Sequence, residues 1–391
     1  MHPWTSHEQA MENMIELESL VNTYWSLVVE KTYQKKSHPD YHTYIWNGKL
    51  EEIITQMLED KTDLLIIGNQ LKSSQIFHIV RMFEKNEIEV WDRVDLILKI
   101  FEKHAVSAES KLQIELAAIK HMWPRIFWMW MELSRQWWWA SGGKWAARWI
   151  WETNTERMRR HLKDKELEIR KKLKEYAQTR SLHRVSRQRK WLQTIWIVGY
   201  TNAGKSTLFN ALCNKKVLAE DKLFATLGTH VGKMFAETDH ETGLGKELLI
   251  NDTIGFIQDL PPELIDAFAS TLEDSIESDI LLHVIDANDP KIQMKMQVVN
   301  DILDKIWANQ QRILVFNKID LVGTMPTSSD NIYEVPTAVA DIENADGLTL
   351  PETENINILD NLKLLYPEAI FVSAWNGVWI NKLKEQILKI M

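Results

Sequence analysis

"TIWIVGYTNAGKSTLFNALCN", residues 194–214, decides the fold. A short apolar run, Thr194 to Val198, leads into Gly199-Tyr200-Thr201-Asn202-Ala203-Gly204-Lys205-Ser206. The stretch from Lys205 onward repeats apolar residues at helical spacing. The pattern G-x-x-x-x-G-K-[ST] between a strand and a helix predicts a phosphate-binding loop. Its glycines let backbone N–H groups turn inward around phosphate oxygens, and the helix N-terminus adds the positive end of a dipole. Lys205 is placed to reach the β- and γ-phosphates. The Ser206 hydroxyl is placed to take a position on Mg²⁺. Tyr200, Thr201, Asn202, Ala203 and Thr207 complete the phosphate-binding set.

Moving outward, "DTIG" (Asp252 to Gly255) closes the apolar run "ELLIN" some 50 residues later. A carboxylate there can hold Mg²⁺ through water, and the Gly255 N–H can meet the γ-phosphate. "NKID", Asn317 to Asp320, selects the base: Asp320 can accept from the N1–H and 2-amino group of guanine, which adenine lacks. Lys318 belongs to the same motif. Ser373 and Ala374 follow the last strand and are expected to supply a backbone N–H for the guanine O6. These elements in this order predict a GTP-binding domain. The runs "TIWIVG", "KELLINDT", "DILLHVIDA", "RILVFNKID" and "AIFVSA" read as its strands.

Upstream, "SLVVEKTYQ", "DLLIIGN" and "IEVWDR" read as strands, and "KLEEIITQMLED" and "SSQIFHIVRMFEKN" as amphipathic helices. That order implies a parallel sheet with crossover helices. From Ser107 the pattern turns helical, with Leu112, Leu116 and Ile119 on one face. A second helix from Glu156 to about Arg187 carries Met158, Leu162, Ile169 and Leu173 as a thin apolar stripe. The two are expected to form an antiparallel hairpin. The predicted fold class is thus α/β: a phosphate-loop domain with a mixed, mostly parallel sheet, preceded by a small parallel α/β domain and a long helical hairpin. The expected divisions are 1–104, 105–190 with a tip loop at 136–153, and 191–391 with an acidic insert at 323–360. That insert holds 8 acids and no bases.

The totals fit such a chain. Its 391 residues exceed one ordinary domain, and 45% are hydrophobic and 26% charged. A single cysteine, Cys213, excludes an internal disulfide and points to a reducing, cytoplasmic compartment. Neither a secretory leader nor an apolar span of membrane length is visible. The net charge of −9 hides a contrast. Between Glu156 and Lys190 stand 14 Lys/Arg against 5 Asp/Glu, a net of +9, leaving −18 for the remainder. Such a basic segment suits a polyanion such as RNA. The 12 histidines show no ligand spacing, and no metal is assigned to them. Gly48 and Lys49 stand at a helix start, read as an ordinary entry turn, with a second anion site as the alternative.

"VGYTNAGKSTLFNAL", "LFATL", "NDTIGFIQDLPPELIDAF" and "LLHVIDANDP" resemble the HflX family of translational GTPases. The likeness extends upstream through "YIWNGKLEEI", "VWDRVDLILKIFEKHA", "SKLQIELAAIKH" and "ELSRQ", and covers roughly residues 20 to 391. It implies GTP and GDP as ligands and binding to the large (50S) ribosomal subunit and its 23S rRNA, without DNA. It also implies GTP-dependent action on stalled or stressed ribosomes, including subunit dissociation. Alternatives kept open are a GTP-switched ribosome-assembly factor and a peripheral membrane GTPase. Thr229 or Thr226 is the candidate switch threonine for Mg²⁺, Thr229 being preferred. Phe256 stands where related enzymes carry a water-orienting glutamine, so no catalytic residue is assigned. Slow basal hydrolysis, stimulated by the ribosome, is expected. Asn202 resembles the asparagine of potassium-dependent GTPases, making K⁺ a candidate cofactor beside Mg²⁺.

The family likeness also frames the tryptophans. Nine of the 18 fall between Trp123 and Trp151, in a segment where the family has a glycine-rich tip. Trp46, Trp196 and Trp379 likewise stand at family glycine positions. Stacking on unpaired bases and insertion at a membrane interface are the competing readings. The preferred one is tryptophan standing in for glycine, with a poorly accommodated tip, Trp196 overpacking its sheet, and nucleotide binding kept.

Overall fold

The computed structural model describes residues 7–36, 38–105, 107–140, 145–189, 193–213, 230–237, 245–252, 255–257, 278–322 and 358–390. The chain opens with α1 (His7–Thr23), α2 (Asn47–Asp60), β1 (Leu64–Ile67), α3 (Ser73–Phe83), β2 (Glu89–Asp92) and α4 (Arg93–His104). Strands β1 and β2 pair in parallel, Leu64 opposite Glu89 through Ile67 opposite Asp92. The "SLVVEKTYQ" run is a correction: residues 26–34 carry no regular secondary structure and join no ladder. Leu27 and Val29 there point into solvent, so the apolar alternation that suggests a strand has no partner edge. Helix α1 was not anticipated, although Met14, Leu17 and Val21 carry its three- and four-residue apolar spacing. At the Gly48 turn, the Lys49 ammonium lies 2.9 Å from Glu52, so the helix entry neutralises its own cation.

Two long helices follow, α5 (Ala108–Ala140) and α6 (Trp145–Arg189). Leu116 and Ile119 bury against Ile169, with Leu112, Leu162 and Leu173 packed around them. Pairing of Glu109 with Arg180 and of Glu115 with Lys165 sets them antiparallel. Met158 is exposed, so the stripe is one residue shorter than expected. The expected loop at 136–153 is also corrected. Both helices run into it, and residues 141–144 lie outside the described residues.

Midway along α5, where it meets the start of α4, four titratable side chains come together. Asp92 caps α4 and Asp95 returns the bond in a capping box. Arg125 on α5 donates to Asp95 at 2.7 Å and to Asp92 at 2.8 Å, and His121 sits 3.5–3.6 Å from both carboxylates. Asp92 is fully buried. Burial opposes the charge on Asp95, but its hydrogen bonds to His121 and the Arg125 charge win, holding it at about 2. These residues have metal-ligand spacing. The guanidinium already occupies the place of the cation.

The third part is a six-stranded sheet in the order β4-β5-β3-β6-β7-β8. Its strands are β3 (Gln193–Gly199), β4 (His230–Glu237), β5 (Gly245–Asp252), β6 (Ile280–Asp286), β7 (Gln311–Asn317) and β8 (Ile370–Phe371). All neighbours are parallel except the β4–β5 pair. Strand β4 was not read from the sequence. It is an edge strand whose buried Met234 alternates with exposed Val231 and Lys233. Alternation along β3 splits the core. Ile195 and Ile197 face α7 (Lys205–Cys213) and the C-terminal α10 (Ile380–Ile390). Trp196 and Val198 face the other way, toward α8 (Ile292–Lys305). That second layer runs on into Leu20, Val94, Ile97 and Phe101 of α1 and α4, and a Lys291–Glu12 ion pair links the same parts. A short helix, α9 (Ile358–Leu365), precedes β8.

Candidate functional site

The C-terminal ends of β3, β5, β6 and β7 converge on one loop. Gly199 ends β3 where any Cβ would collide with the Val284 carbonyl of β6, so the close strand approach itself requires glycine. Gly204 has φ +86, and a Cβ there would overlap the Asn317 amide. The loop between them folds back on itself: the Lys205 ammonium donates to the Tyr200 carbonyl at 2.7 Å. Lys205 is buried, and desolvation lowers its pKa to about 8, against the Asp252 charge that raises it and with Lys318 adding to the drop. A buried ammonium at the N-terminus of α7 is suited to hold an anion.

Beside it, the Ser206 hydroxyl donates to Asp252 Oδ2 at 2.6 Å. These two oxygens are the hard donor pair that an octahedral Mg²⁺ takes from protein, so the residues fit the ion. Gly255 packs directly on Thr201 and the Lys205 ammonium; a Cβ there would fall within 2.8 Å of that nitrogen. Its neighbour Phe256 donates its N–H to the Gly199 carbonyl at 3.1 Å and accepts from the Thr201 N–H at 2.7 Å. The Phe256 ring is buried in the layer with Tyr200, Trp196 and Leu281.

On the other side, the buried Asn317 amide donates to the Ala203 carbonyl at 3.0 Å, and its Oδ1 accepts from the Ala374 N–H at 2.9 Å. One side chain thereby ties the phosphate loop to the segment after β8. In the same segment, expected to supply a backbone N–H to the base, the Ala374 N–H donates to Asn317 and the Ser373 N–H donates to the Val378 carbonyl. Asp320, two residues beyond Lys318, is exposed. Thr207 follows in the first turn of α7, half-buried. Thr229 and Thr226 lie outside the described residues.

The chain matches three family models in sequence: "GTP-binding GTPase N-terminal" over residues 11–102, "GTP-binding GTPase Middle Region" over 104–187, and "50S ribosome-binding GTPase" over 194–318. GTPase HflX of Caldanaerobacter subterraneus subsp. tengcongensis is 39% identical over 324 residues, covering 82% of this chain and 72% of that protein. GTPase HflX of Escherichia coli K12 is 36% identical over 82% of this chain and 72% of its own length. The chain belongs to the HflX family.

The HflX relative of Flavobacterium psychrophilum extends the match to 98% of this chain at 33% identity. Among solved structures, the complex of SsGBP with GDP is 25% identical, covers 97% of this chain and 95% of its own, and superposes with a TM-score of 0.49. As an HflX GTPase with a phosphate-loop domain, this protein uses Mg²⁺ in nucleotide-dependent chemistry. Two site features escaped sequence reading. One is His283, buried on β6 beneath the phosphate loop, where desolvation and the charges of Arg312 and Lys205 lower its pKa to about 4. The other is Asp286 at the end of β6, 2.8 Å from the Lys318 ammonium. Both are polar residues in the otherwise apolar strand β6, a signal present in the sequence but unassigned.

The tryptophans read at family glycine positions differ in backbone conformation, and Trp46 has φ −65. Trp379 has φ +58, and Trp25 and Trp307 have φ +71 and +60. Side chains other than glycine seldom adopt that region. Trp196 differs: it keeps regular strand pairing with Leu281 and Asn251 and is buried.

Proposed function

We propose that this HflX protein binds GTP through Gly199–Thr207 and Gly255 and selects guanine through Asn317, Lys318 and Asp320. We also read it as associating with the large ribosomal subunit, on 23S rRNA, to promote dissociation of stalled or stressed ribosomes. The observation that carries the nucleotide reading is the convergence of Lys205, the Ser206–Asp252 pair and Asn317 on one loop. Ser206 and Asp252, with Thr229 as the third candidate, are the proposed Mg²⁺ residues. The ion supplies charge neutralisation at the β- and γ-phosphates. K⁺ near Asn202 is a second proposed cofactor, supported by the loop's left-handed turn at that residue, φ +62.

Phe256 cannot orient water by hydrogen bonding, and its ring faces the core. Basal hydrolysis is therefore slow, and the ribosome supplies what the site lacks. The three expected parts take separate tasks in this reading: the α/β unit and hairpin dock, and residues 191–391 switch. The α6 surface, rich in exposed Lys and Arg, supports an RNA partner. No helix among the described residues is long and apolar enough to cross a membrane.

Calorimetry with GTP and ATP tests the base selection, and equal affinities end that reading. Co-sedimentation with 50S particles, against flotation with anionic liposomes, separates ribosome binding from membrane binding. Splitting of 70S particles with GTP against a non-hydrolysable analogue separates a dissociation factor from an assembly factor.

A further inference from the structure

We propose that Asp286 is a positioning residue for guanine nucleotide binding, acting through Lys318. The inference rests on the GTP reading above and deepens it. Asp286 ends β6 opposite Asn317 of β7, so the strand register places it next to the base motif. One of its carboxylate oxygens accepts from the Asn288 N–H at 3.0 Å, which fixes the carboxylate plane. The other lies 2.8 Å from the Lys318 ammonium. The backbone of Lys318 has φ +63, a conformation a lysine does not favour, and the Ala287 N–H holds the neighbouring Asn317 carbonyl at 2.8 Å. The stem of Lys318 consequently passes Gly204 of the phosphate loop, where a Cβ would sit 3.9 Å from Lys318 Cε.

Two lysines thus face one loop. Lys205 is spoken for by the Tyr200 carbonyl, and the charge of Lys318 bears on it. Without Asp286, the Lys318 ammonium has no fixed anion on its own side and is repelled by Lys205. It would swing off the loop, and the space between phosphate loop and base motif would lose one wall. Asp286 touches no nucleotide in this scheme. It sets where the lysine stem lies before the nucleotide arrives, which is preorganisation.

The test is a double-mutant cycle on the full chain, read by fluorescent GDP titration and by thermal melting. Asp286→Asn is expected to weaken GDP about tenfold, the scale of one charge-assisted pair. Lys318→Met should weaken it by more, and the double variant no further than Lys318→Met alone. Asp286→Glu should stay within about twofold of the parent, since the carboxylate is kept. Losses that simply add, or an unchanged Asp286→Asn, overturn the proposal. Should Asp286→Asn fail to fold, Asp286→Ser enters the same cycle with the same criteria. A parent chain that binds no guanine nucleotide sinks the GTP reading itself, which is a distinguishable result.

Discussion

Tryptophan-to-glycine exchange has opposite expected signs at exposed and at buried positions in this molecule. Trp379 and Trp307 are exposed, with positive φ. A left-handed conformation costs a non-glycine residue about 1–2 kcal/mol. Against this stands the extra chain entropy of glycine, roughly 0.5–1 kcal/mol. Trp379→Gly and Trp307→Gly should each stabilise by about 0.5 kcal/mol, seen as a higher melting midpoint. Trp196 is buried with ordinary strand geometry, and its removal leaves a cavity. Trp196→Gly should cost about 3–5 kcal/mol, whereas an overpacked β3 would give a smaller loss in the same melt. Lys205 yields a pH prediction. Its pKa is about 8, below the ordinary 10.5. Below pH 8 the ammonium is present and nucleotide binding takes up no proton there. Above it, binding must recharge the lysine, so affinity falls and proton uptake appears in calorimetry at pH 9. The sign for stability is the reverse: the unfolded chain holds more protons between about 8 and 10.5, so the fold gains stability as pH rises through that window.

Among the elements, the joint between β2, α4 and α5 is the most sensitive to charge. Arg125→Met leaves Asp92 and Asp95 facing each other, with Asp92 fully buried. A broken buried pair costs about 3–5 kcal/mol, and a melt at pH 7 checks it. Part of the loss should be recovered near pH 4, where carboxylates can take up protons. Ile169→Ala, in the only fully buried position of the described α6 side chains, should cost about 2–5 kcal/mol and loosen the hairpin. The contrast shows what a sequence makes visible. Strands β3, β6 and β7 were legible because continuous apolar runs end in motif residues. Strand β4 was not, because an edge strand carries half its side chains in water. The residues 26–34 had strand composition without a neighbour to pair with, since pairing is a tertiary property. Phosphate-loop residues could be placed by spacing alone. Asp286 and the engagement of the Ala374 N–H required knowing which strands lie side by side.

For the whole molecule, charge and length are the governing quantities. If the net +9 of residues 156–190 meets RNA phosphates, ribosome binding should weaken steeply with salt. Co-sedimentation between 50 and 200 mM salt is expected to lose about a thousandfold in affinity for roughly six phosphate contacts. A flat response would move the contact elsewhere. Restoring glycine at residues 137 to 139 should improve solubility and co-sedimentation together, and no change in either counts against the reading of those tryptophans.

Helix α6 has 45 residues, which at 1.5 Å per residue makes a rod about 68 Å long. Its partner α5 is anchored to the α/β unit through Arg125, midway along the helix and before its end at Ala140. About 22 Å of α5 lies beyond that anchor, so a tilt of about 10° there moves the helix end through roughly 4 Å. Small repacking around Asp92 is therefore passed along α5 as a displacement of about one atomic contact.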